Sequence, residues 1–140
     1  MQKVQTGQVI EFYSNSCLVK TKLGKFNCIA IKSIVVGDFV ELQIIQDSKK
    51  PLGKILKIKK RFSCLSIKNL NKEKFFAANI THIGILVSPK PKTSSEFIDK
   101  WIVKARLSNI EPFIINNKID IKSDKEYLKK INIYEDINIK

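Results

Sequence analysis

The feature that most constrains the fold is a short apolar run that ends in a polar tetrad. Residues 113–115 form the apolar run, and Asn117-Lys118-Ile119-Asp120 is the tetrad. An apolar run of this length, bounded by polar residues, predicts a buried parallel strand. In open α/β sheets, ligands bind just beyond the carboxyl ends of such strands. The tetrad is therefore the predicted ligand-binding position.

The tetrad carries side chains that suit a guanine base. Guanine presents an N1–H and an exocyclic amine side by side, and the Asp120 carboxylate can accept hydrogen bonds from both. Adenine presents an acceptor at N1 and would leave that carboxylate unpaired, at a cost of about 1–3 kcal/mol. Asn117 can donate to ring N7 or to a neighbouring carbonyl, and the stem of Lys118 can cover the base while its ammonium reaches the ribose. The tetrad resembles the guanine-specificity element of GTPases.

The phosphate-binding loop that usually precedes this element does not occur in the sequence. That loop reads Gly-x-x-x-x-Gly-Lys-[Ser/Thr], and the glycines at Gly24 and Gly53 lack its spacing. The chain is also rich in Asn, Lys, Ile and Asp, so the tetrad can arise by chance. The tetrad is therefore either accidental or part of a GTPase with a permuted order, in which the phosphate loop lies downstream.

The charge of the chain points to a polyanionic partner. The formal net charge is +13 and the hydrophobic content is 44% over 140 residues, which allows one packed domain or two small ones. Nucleic acid is the first expected partner and a membrane surface the second. Because Arg61 and Arg106 are the only arginines, a coding bias towards Lys accounts for part of this charge.

Targeting and redox signals predict a cytoplasmic protein. No apolar run approaches the ~20 residues of a membrane span, and residues 1–6 lack the apolar core of a signal peptide. Cys17, Cys28 and Cys64 form no Cys-x-x-Cys pair, so they are interpreted as buried hydrophobic residues in a reducing compartment. His82 heads an apolar strand and is expected to be structural.

Residues 1–62 are predicted to form a small β-barrel. Five short strands separated by turns are typical of the OB-fold, which often binds nucleic acid. Alternation of Val40, Leu42 and Ile44 with polar residues indicates a strand with one buried face. The strands are expected at 7–13, 17–22, 26–31, 39–45 and 53–62.

Cationic residues concentrate on the barrel half. Residues 1–70 hold 13 basic and 4 acidic residues, whereas the rest of the chain holds 13 basic and 9 acidic ones. On the fifth strand, Leu56 and Ile58 are predicted to face inward and the cations outward. Such clusters neutralise phosphates, although a solvated outer face is the competing interpretation. The candidate RNA-binding residues are Lys20, Lys22, Lys25, Lys57, Lys59 and Arg61.

Residues 63–79 are interpreted as a linker with a turn at 69–71, and residues 80–140 as an incomplete α/β domain. A strand at 80–87 precedes a helix, which Thr93 and Glu96 open as a capping box. The helix ends at Asn109, and the strand at 113–116 follows. This order predicts a right-handed β-α-β unit with parallel strands.

Further helical signals complete this half. The first helix is predicted to present an apolar stripe, and a second helix to begin at a capping box formed by Ser123 and Glu126. Two parallel strands with helices leave an apolar sheet face and open edges, so this is expected to be the front portion of a longer or truncated protein. The apolar helical residues are Ile98, Trp101, Ile102 and Ala105 in the first helix, and Tyr127, Leu128 and Ile131 in the second.

The order of these features resembles the ribosome small subunit-dependent GTPase A family, whose members are circularly permuted GTPases. The resemblance covers nearly the whole chain, but Ile67 and Lys100 stand where the family usually has Arg. The matching segments are Gly7-x-Val9, Cys28, Val36-Gly37-Asp38-x-Val40, Gly53-x-Ile55, Arg61-x-Ser63-x-Leu65, Ala77-Ala78-Asn79-Ile80 and the tetrad.

The resemblance implies a function for the complete protein. It would bind the small ribosomal subunit and its rRNA late in assembly, as a monomer, and hydrolyse GTP with Mg²⁺. The family's phosphate loop, switch regions and zinc-binding C-terminal domain would lie downstream, so the resemblance implies no catalytic residue and no metal ligand in this chain. The alternatives are a non-catalytic OB-fold RNA-binding module and an unrelated OB-fold protein with an accidental tetrad.

Overall fold

The computed structural model describes residues 4–45, 50–69, 72–121, 125–137 and 139. The chain divides between Ile80 and Thr81 into two compact units. Two predicted features lie outside the described residues, namely the capping residue Ser123 and the centre of the turn at 69–71.

The first unit contains the predicted five-stranded barrel. It closes in the order β1-β2-β3-β5-β4, with β3 and β5 parallel and the remaining pairs antiparallel. Side chains that alternate along each strand fill its interior, among them Val9, Val19 and Leu42. The strands are β1 (Val4–Tyr13), β2 (Ser16–Thr21), β3 (Gly24–Ile29), β4 (Phe39–Ile45) and β5 (Leu52–Ile58).

Two predicted cysteine positions are confirmed inside this barrel. Cys17 and Cys28 face each other across β2 and β3 and are almost fully buried. Burial raises the pKa of Cys28 to about 11, so this side chain remains a neutral thiol. Both residues therefore act as small core hydrophobes.

The fifth strand corrects the predicted orientation of Leu56. Leu56 is 46% exposed, whereas Ile55 is 6% exposed and lies in the core. Glu41 pairs with Lys57 and Leu42 pairs with Ile55, so Leu56 is the extra residue of a β-bulge. Because a bulge interrupts the two-residue alternation, Ile55 and Ile58 both contact the core.

The segment interpreted as a linker is a β-hairpin. β6 (Cys64–Asn69) and β7 (Lys72–Ala78) pair antiparallel. The alternation of Leu65 and Ile67 with polar residues is the strand signal that the linker interpretation overlooked. The hairpin also joins the barrel strands in one compact unit, since Val36 bridges Ala77 and the Ala78 N–H donates to the Val36 carbonyl at 3.0 Å.

Gly37 permits this close approach of hairpin and barrel. Its φ is +92°, and a Cβ at this position would lie 1.9 Å from the Ala78 carbonyl oxygen. The Asn79 amide donates to the Gly37 carbonyl at 3.0 Å. A side chain at position 37 would therefore be excluded both by backbone strain and by contact.

The second unit is the predicted β-α-β arrangement followed by a helix. β8 (His82–Val87) and β9 (Glu111–Asn116) are parallel, with α1 (Ser95–Leu107) between them and α2 (Lys125–Asp136) after them. Ile98 and Ile102 of α1 pack with Val87 and Tyr134, which confirms the apolar stripe. On the sheet, Leu86 and Ile115 are 56% and 42% exposed, as expected for a two-stranded sheet.

The start of α1 differs by one residue from the predicted capping box. Ser94 is the N-cap, and its hydroxyl accepts from the Phe97 N–H at 3.2 Å. The Thr93 hydroxyl instead accepts from the Ser88 N–H at 3.0 Å, within the preceding loop. At the other end Asn109 has φ +55°, the left-handed conformation that ends a helix, as predicted.

Candidate functional site

The tetrad forms an exposed turn directly beyond β9. The Asn117 N–H extends the parallel ladder by donating to the Val87 carbonyl at 2.8 Å. Lys118 then adopts a left-handed conformation with φ +57°, and the Ile121 N–H closes the turn on the Lys118 carbonyl at 3.0 Å. Asn117, Lys118 and Asp120 are all solvent-exposed. The three side chains therefore lie at one sheet edge, outside any helix and outside the core.

The Asn117 side chain has a defined orientation in this turn. Its Oδ1 accepts from the Lys118 N–H at 2.9 Å. This bond satisfies the acceptor end of the amide and leaves its two N–H groups as the donors. Donors are what either predicted partner of Asn117, a purine N7 or a neighbouring carbonyl, requires.

The loop between β8 and α1 lies beside the tetrad. The Lys118 ammonium donates to the Lys90 carbonyl of this loop at 2.8 Å. The loop has its own hydrogen bonds, since the Ser88 hydroxyl donates to the Pro91 carbonyl at 2.8 Å and Thr93 accepts from the Ser88 N–H. The carboxyl ends of β8 and β9 are thus brought together, as the parallel arrangement predicts.

Helix α2 contributes two contacts that the sequence reasoning missed. The buried Tyr127 hydroxyl donates to Asn116 Oδ1 at 2.9 Å, at the last residue before the tetrad. Glu126 forms an ion pair of 3.5 Å with Lys92 of the β8–α1 loop. No spacing rule connects a helical Tyr with a strand-end Asn, and only the polarity of Asn116 beside the tetrad could have indicated the contact.

The candidate RNA-binding cations are split by the structure. Lys20 and Lys25 are exposed partners across β2 and β3, and exposed Lys22 lies in the turn that follows β2. Lys57 instead forms an ion pair of 3.5 Å with Glu41, and the Lys59 ammonium donates to the Thr6 hydroxyl at 3.2 Å. The structure therefore brings together the three lysines at the β2–β3 turn.

Arg61 is bound inside the first unit. Its Nε and Nη2 donate to the two carboxylate oxygens of Asp38 at 2.7 and 2.8 Å, and Nη2 also donates to the Ser33 carbonyl at 2.6 Å. Asp38 is 0% exposed, and its Oδ2 accepts a further bond from the Val35 N–H at 2.9 Å. The bond to Asp38 raises the pKa of Arg61. The interpretation of Arg61 as an RNA contact is corrected, because its guanidinium neutralises a buried carboxylate.

The cavity of about 490 Å³ in the first unit is distant in sequence from the tetrad. It is lined mainly by apolar side chains, among them Ile29, Ile45 and Ile55. Ser16, Asn27 and Lys54 also line it, but its surface is almost entirely apolar, which suits an apolar group better than a base or phosphate. Over the part of the chain that the structure describes, no group of three metal-ligating side chains converges, and no helix has the length and apolar content needed to cross a bilayer.

Comparison with known proteins places these features in one family. The RsgA GTPase family matches residues 58–140. The small ribosomal subunit biogenesis GTPase RsgA of Flavobacterium johnsoniae is 35% identical over 129 residues, covering 84% of this chain and 39% of that protein. The protein of the same name from Flavobacterium psychrophilum is 32% identical over 134 residues, covering 89% of this chain and 40% of that protein.

Solved structures agree with the fold. YjeQ from Thermotoga maritima is 27% identical with a TM-score of 0.67, over 96% of this chain and 48% of that one. YloQ, a circularly permuted GTPase, is 20% identical with a TM-score of 0.66, and it supports the fold alone. The chain spans less than half the length of these relatives. The matched family region contains the tetrad, the β-α-β unit and the hairpin, and the chain belongs to the RsgA GTPase family.

Proposed function

We propose that this chain is the front part of a small ribosomal subunit biogenesis GTPase, and that its tetrad binds guanine. The observation that carries the proposal is the exposed turn beyond β9, where Asn117, Lys118 and Asp120 lie together and the Asn117 amide is oriented as a donor. Asp120 accepts from guanine N1–H and the exocyclic amine, and Asn117 donates to N7. The stem of Lys118 covers the base.

In this proposal the other functions are divided between the two units. Lys20, Lys22 and Lys25 on the barrel contact rRNA of the small subunit. The guanine-binding domain begins near residue 80, which the division of the chain between Ile80 and Thr81 supports. GTP hydrolysis, with Mg²⁺ at a phosphate loop and zinc in a C-terminal domain, belongs to the complete protein. The complete protein acts as a cytoplasmic monomer.

Chemistry at the phosphate depends on groups that this chain does not supply. Phosphoryl transfer requires a phosphate loop and Mg²⁺ to neutralise developing charge, and the sequence has no Gly-x-x-x-x-Gly-Lys-[Ser/Thr]. The purified chain is therefore expected to give no GTP turnover above a protein-free blank. Turnover that co-purifies with the chain through two chromatographic steps would contradict this.

Guanine binding is tested chiefly with nucleosides, which need no phosphate loop, and with GDP for comparison. Amide shifts of residues 117–120 are followed by NMR while guanosine, GDP or adenosine is added to the 140-residue chain. We expect saturable shifts with guanosine and GDP, weaker ones with adenosine, and none in Asp120→Ala. Equal responses to guanosine and adenosine would exclude the proposed role of Asp120.

A non-catalytic RNA-binding module is the second candidate function. The exposed cluster of Lys20, Lys22 and Lys25 favours it. Salt-sensitive binding of rRNA fragments, unchanged by GDP or by Asp120→Ala and accompanied by no guanosine response, would support the module and exclude the GTPase proposal.

A further inference from the structure

A hydrogen bond joins α2 to the residue that precedes the tetrad. Tyr127 is 3% exposed, and its hydroxyl donates to Asn116 Oδ1 at 2.9 Å. Asn116 is the last residue of β9 and is itself exposed. A buried hydroxyl on the helix thus reaches the point where the strand ends and the candidate guanine site begins.

The orientation of the tetrad depends on this point. Within two residues of Asn116 the backbone leaves the β-ladder and enters the left-handed conformation at Lys118. A rotation of the Asn116 peptide therefore redirects both Asn117 and Lys118, whereas the Lys118–Lys90 contact restrains only the end of a flexible side chain. The Tyr127 bond instead holds the short Asn116 side chain, one residue before the Asn117 N–H that donates to the Val87 carbonyl, and so adds a second restraint at the strand end.

We propose that Tyr127 is a positioning residue for the guanine site and acts through Asn116. The inference rests on the proposed function, because it concerns the same site. Tyr127 does not contact the base. It holds the strand end so that the Asn117 amide and the Asp120 carboxylate face one purine together, which reduces the ordering that binding would otherwise require. Burial raises the pKa of the Tyr127 hydroxyl, which therefore remains a protonated donor at neutral pH.

If the bond only stabilised α2, removal of another buried hydroxyl from the same helix would affect guanosine binding equally. The helix contains a matched control for this. Tyr134 is 6% exposed, and its hydroxyl donates to Asp99 of α1 at 2.8 Å. Tyr127→Phe and Tyr134→Phe each remove one hydroxyl from a buried tyrosine of the same helix. Both changes test the stability of α2, but only the first releases Asn116.

The experiment compares the two variants by guanosine and GDP titration, with the amide shifts of residues 117–120 and the Tm measured in parallel. We expect Tyr127→Phe to weaken guanosine binding by about three- to tenfold, as loss of the hydrogen bond to Asn116 implies. The ratio of guanosine affinity to adenosine affinity should also fall. Tyr134→Phe should leave both unchanged. Asn116→Leu at the exposed partner should match Tyr127→Phe, and the double variant should show no further loss.

The outcomes separate this inference from the proposed function. If the unaltered chain shows no guanosine response, the guanine site and the positioning role are both overturned. If the unaltered chain binds guanosine, and Tyr127→Phe and Asn116→Leu bind it equally well, the tetrad stands and the positioning role of Tyr127 is overturned. Asn116→Leu decides the matter if Tyr127→Phe does not fold.

Discussion

The tetrad beyond β9 and the cations of the barrel differ in how their residues are brought together. Asn117, Lys118 and Asp120 are neighbours in sequence, so any strand that ends before them presents them as a group. The six candidate cations come from separate segments, and the structure directs them to different partners. Arg61 binds buried Asp38, Lys57 pairs with Glu41, and the three lysines at the β2–β3 turn remain exposed. Residues of a contiguous motif are therefore kept together by the chain itself, whereas residues grouped by strand parity depend on the partners that the fold gives them.

The prediction with the largest expected effect concerns the ion pair between Arg61 and the buried Asp38. Arg61→Ala would leave the buried Asp38 carboxylate without its ion-pair partner, and we expect a loss of about 3–5 kcal/mol in the free energy of unfolding. The control is Lys57→Ala, which removes a solvent-exposed ion pair and should change stability by less than about 1 kcal/mol. Urea denaturation measures both. Equal losses would refute the distinction between the two cations.

The next prediction sharpens the assignment of the tetrad. Asp120→Asn replaces two acceptors by one acceptor and one donor, which matches the N1–H and C2 carbonyl of xanthine. We expect guanosine affinity to fall by about 10- to 100-fold and xanthosine affinity to rise correspondingly. Calorimetric or NMR titration with both nucleosides gives the ratio of guanosine affinity to xanthosine affinity. A variant that loses guanosine without gaining xanthosine would show that Asp120 supports the turn rather than reading the base.

A smaller effect is expected at the β2–β3 turn. Replacement of Lys20, Lys22 and Lys25 by Gln should weaken binding of an rRNA fragment and reduce the slope of log K against log salt by about 2–3. Lys72→Gln, Lys100→Gln and Lys129→Gln together remove the same charge elsewhere and serve as the control. Equal loss in the two triple variants would mean that net charge, and not this cluster, binds RNA.

The smallest expected effect concerns alkaline pH. Burial, followed by the hydrogen bond to Asp99, raises the pKa of Tyr134 from 10.0 to about 12. In the unfolded chain this hydroxyl ionises first, so its contribution to stability is complete below pH 10 and is lost as the pH rises towards 12. Tyr134→Phe should flatten the fall in Tm between these pH values. An unchanged slope would show that other groups govern alkaline unfolding.

Several elements could be predicted because their causes are local. The alternation in β4, the helical stripe around Ile98 and Ile102, the stop at Asn109 and the parallel pair of β8 and β9 all follow from short-range patterns. The failures have long-range causes. A bulge in the pairing of β5 with β4 turns Leu56 outward, and the Thr93 hydroxyl accepts from Ser88 in the preceding loop instead of capping α1. The segment interpreted as a linker forms a hairpin that bridges to Val36 of the barrel unit.

The sequence by itself determined that the three side chains of the proposed guanine site follow a hydrophobic strand, because the chain order of neighbouring residues cannot change on folding. The tertiary structure alone decided which groups support them and which cations remain exposed. Tyr127 lies 11 residues beyond Asn116, and Arg61 lies 23 residues beyond Asp38. Contacts over such separations depend on how helices and strands pack, and hydrogen bonds of buried groups select among the packings that hydrophobic patterns alone would allow.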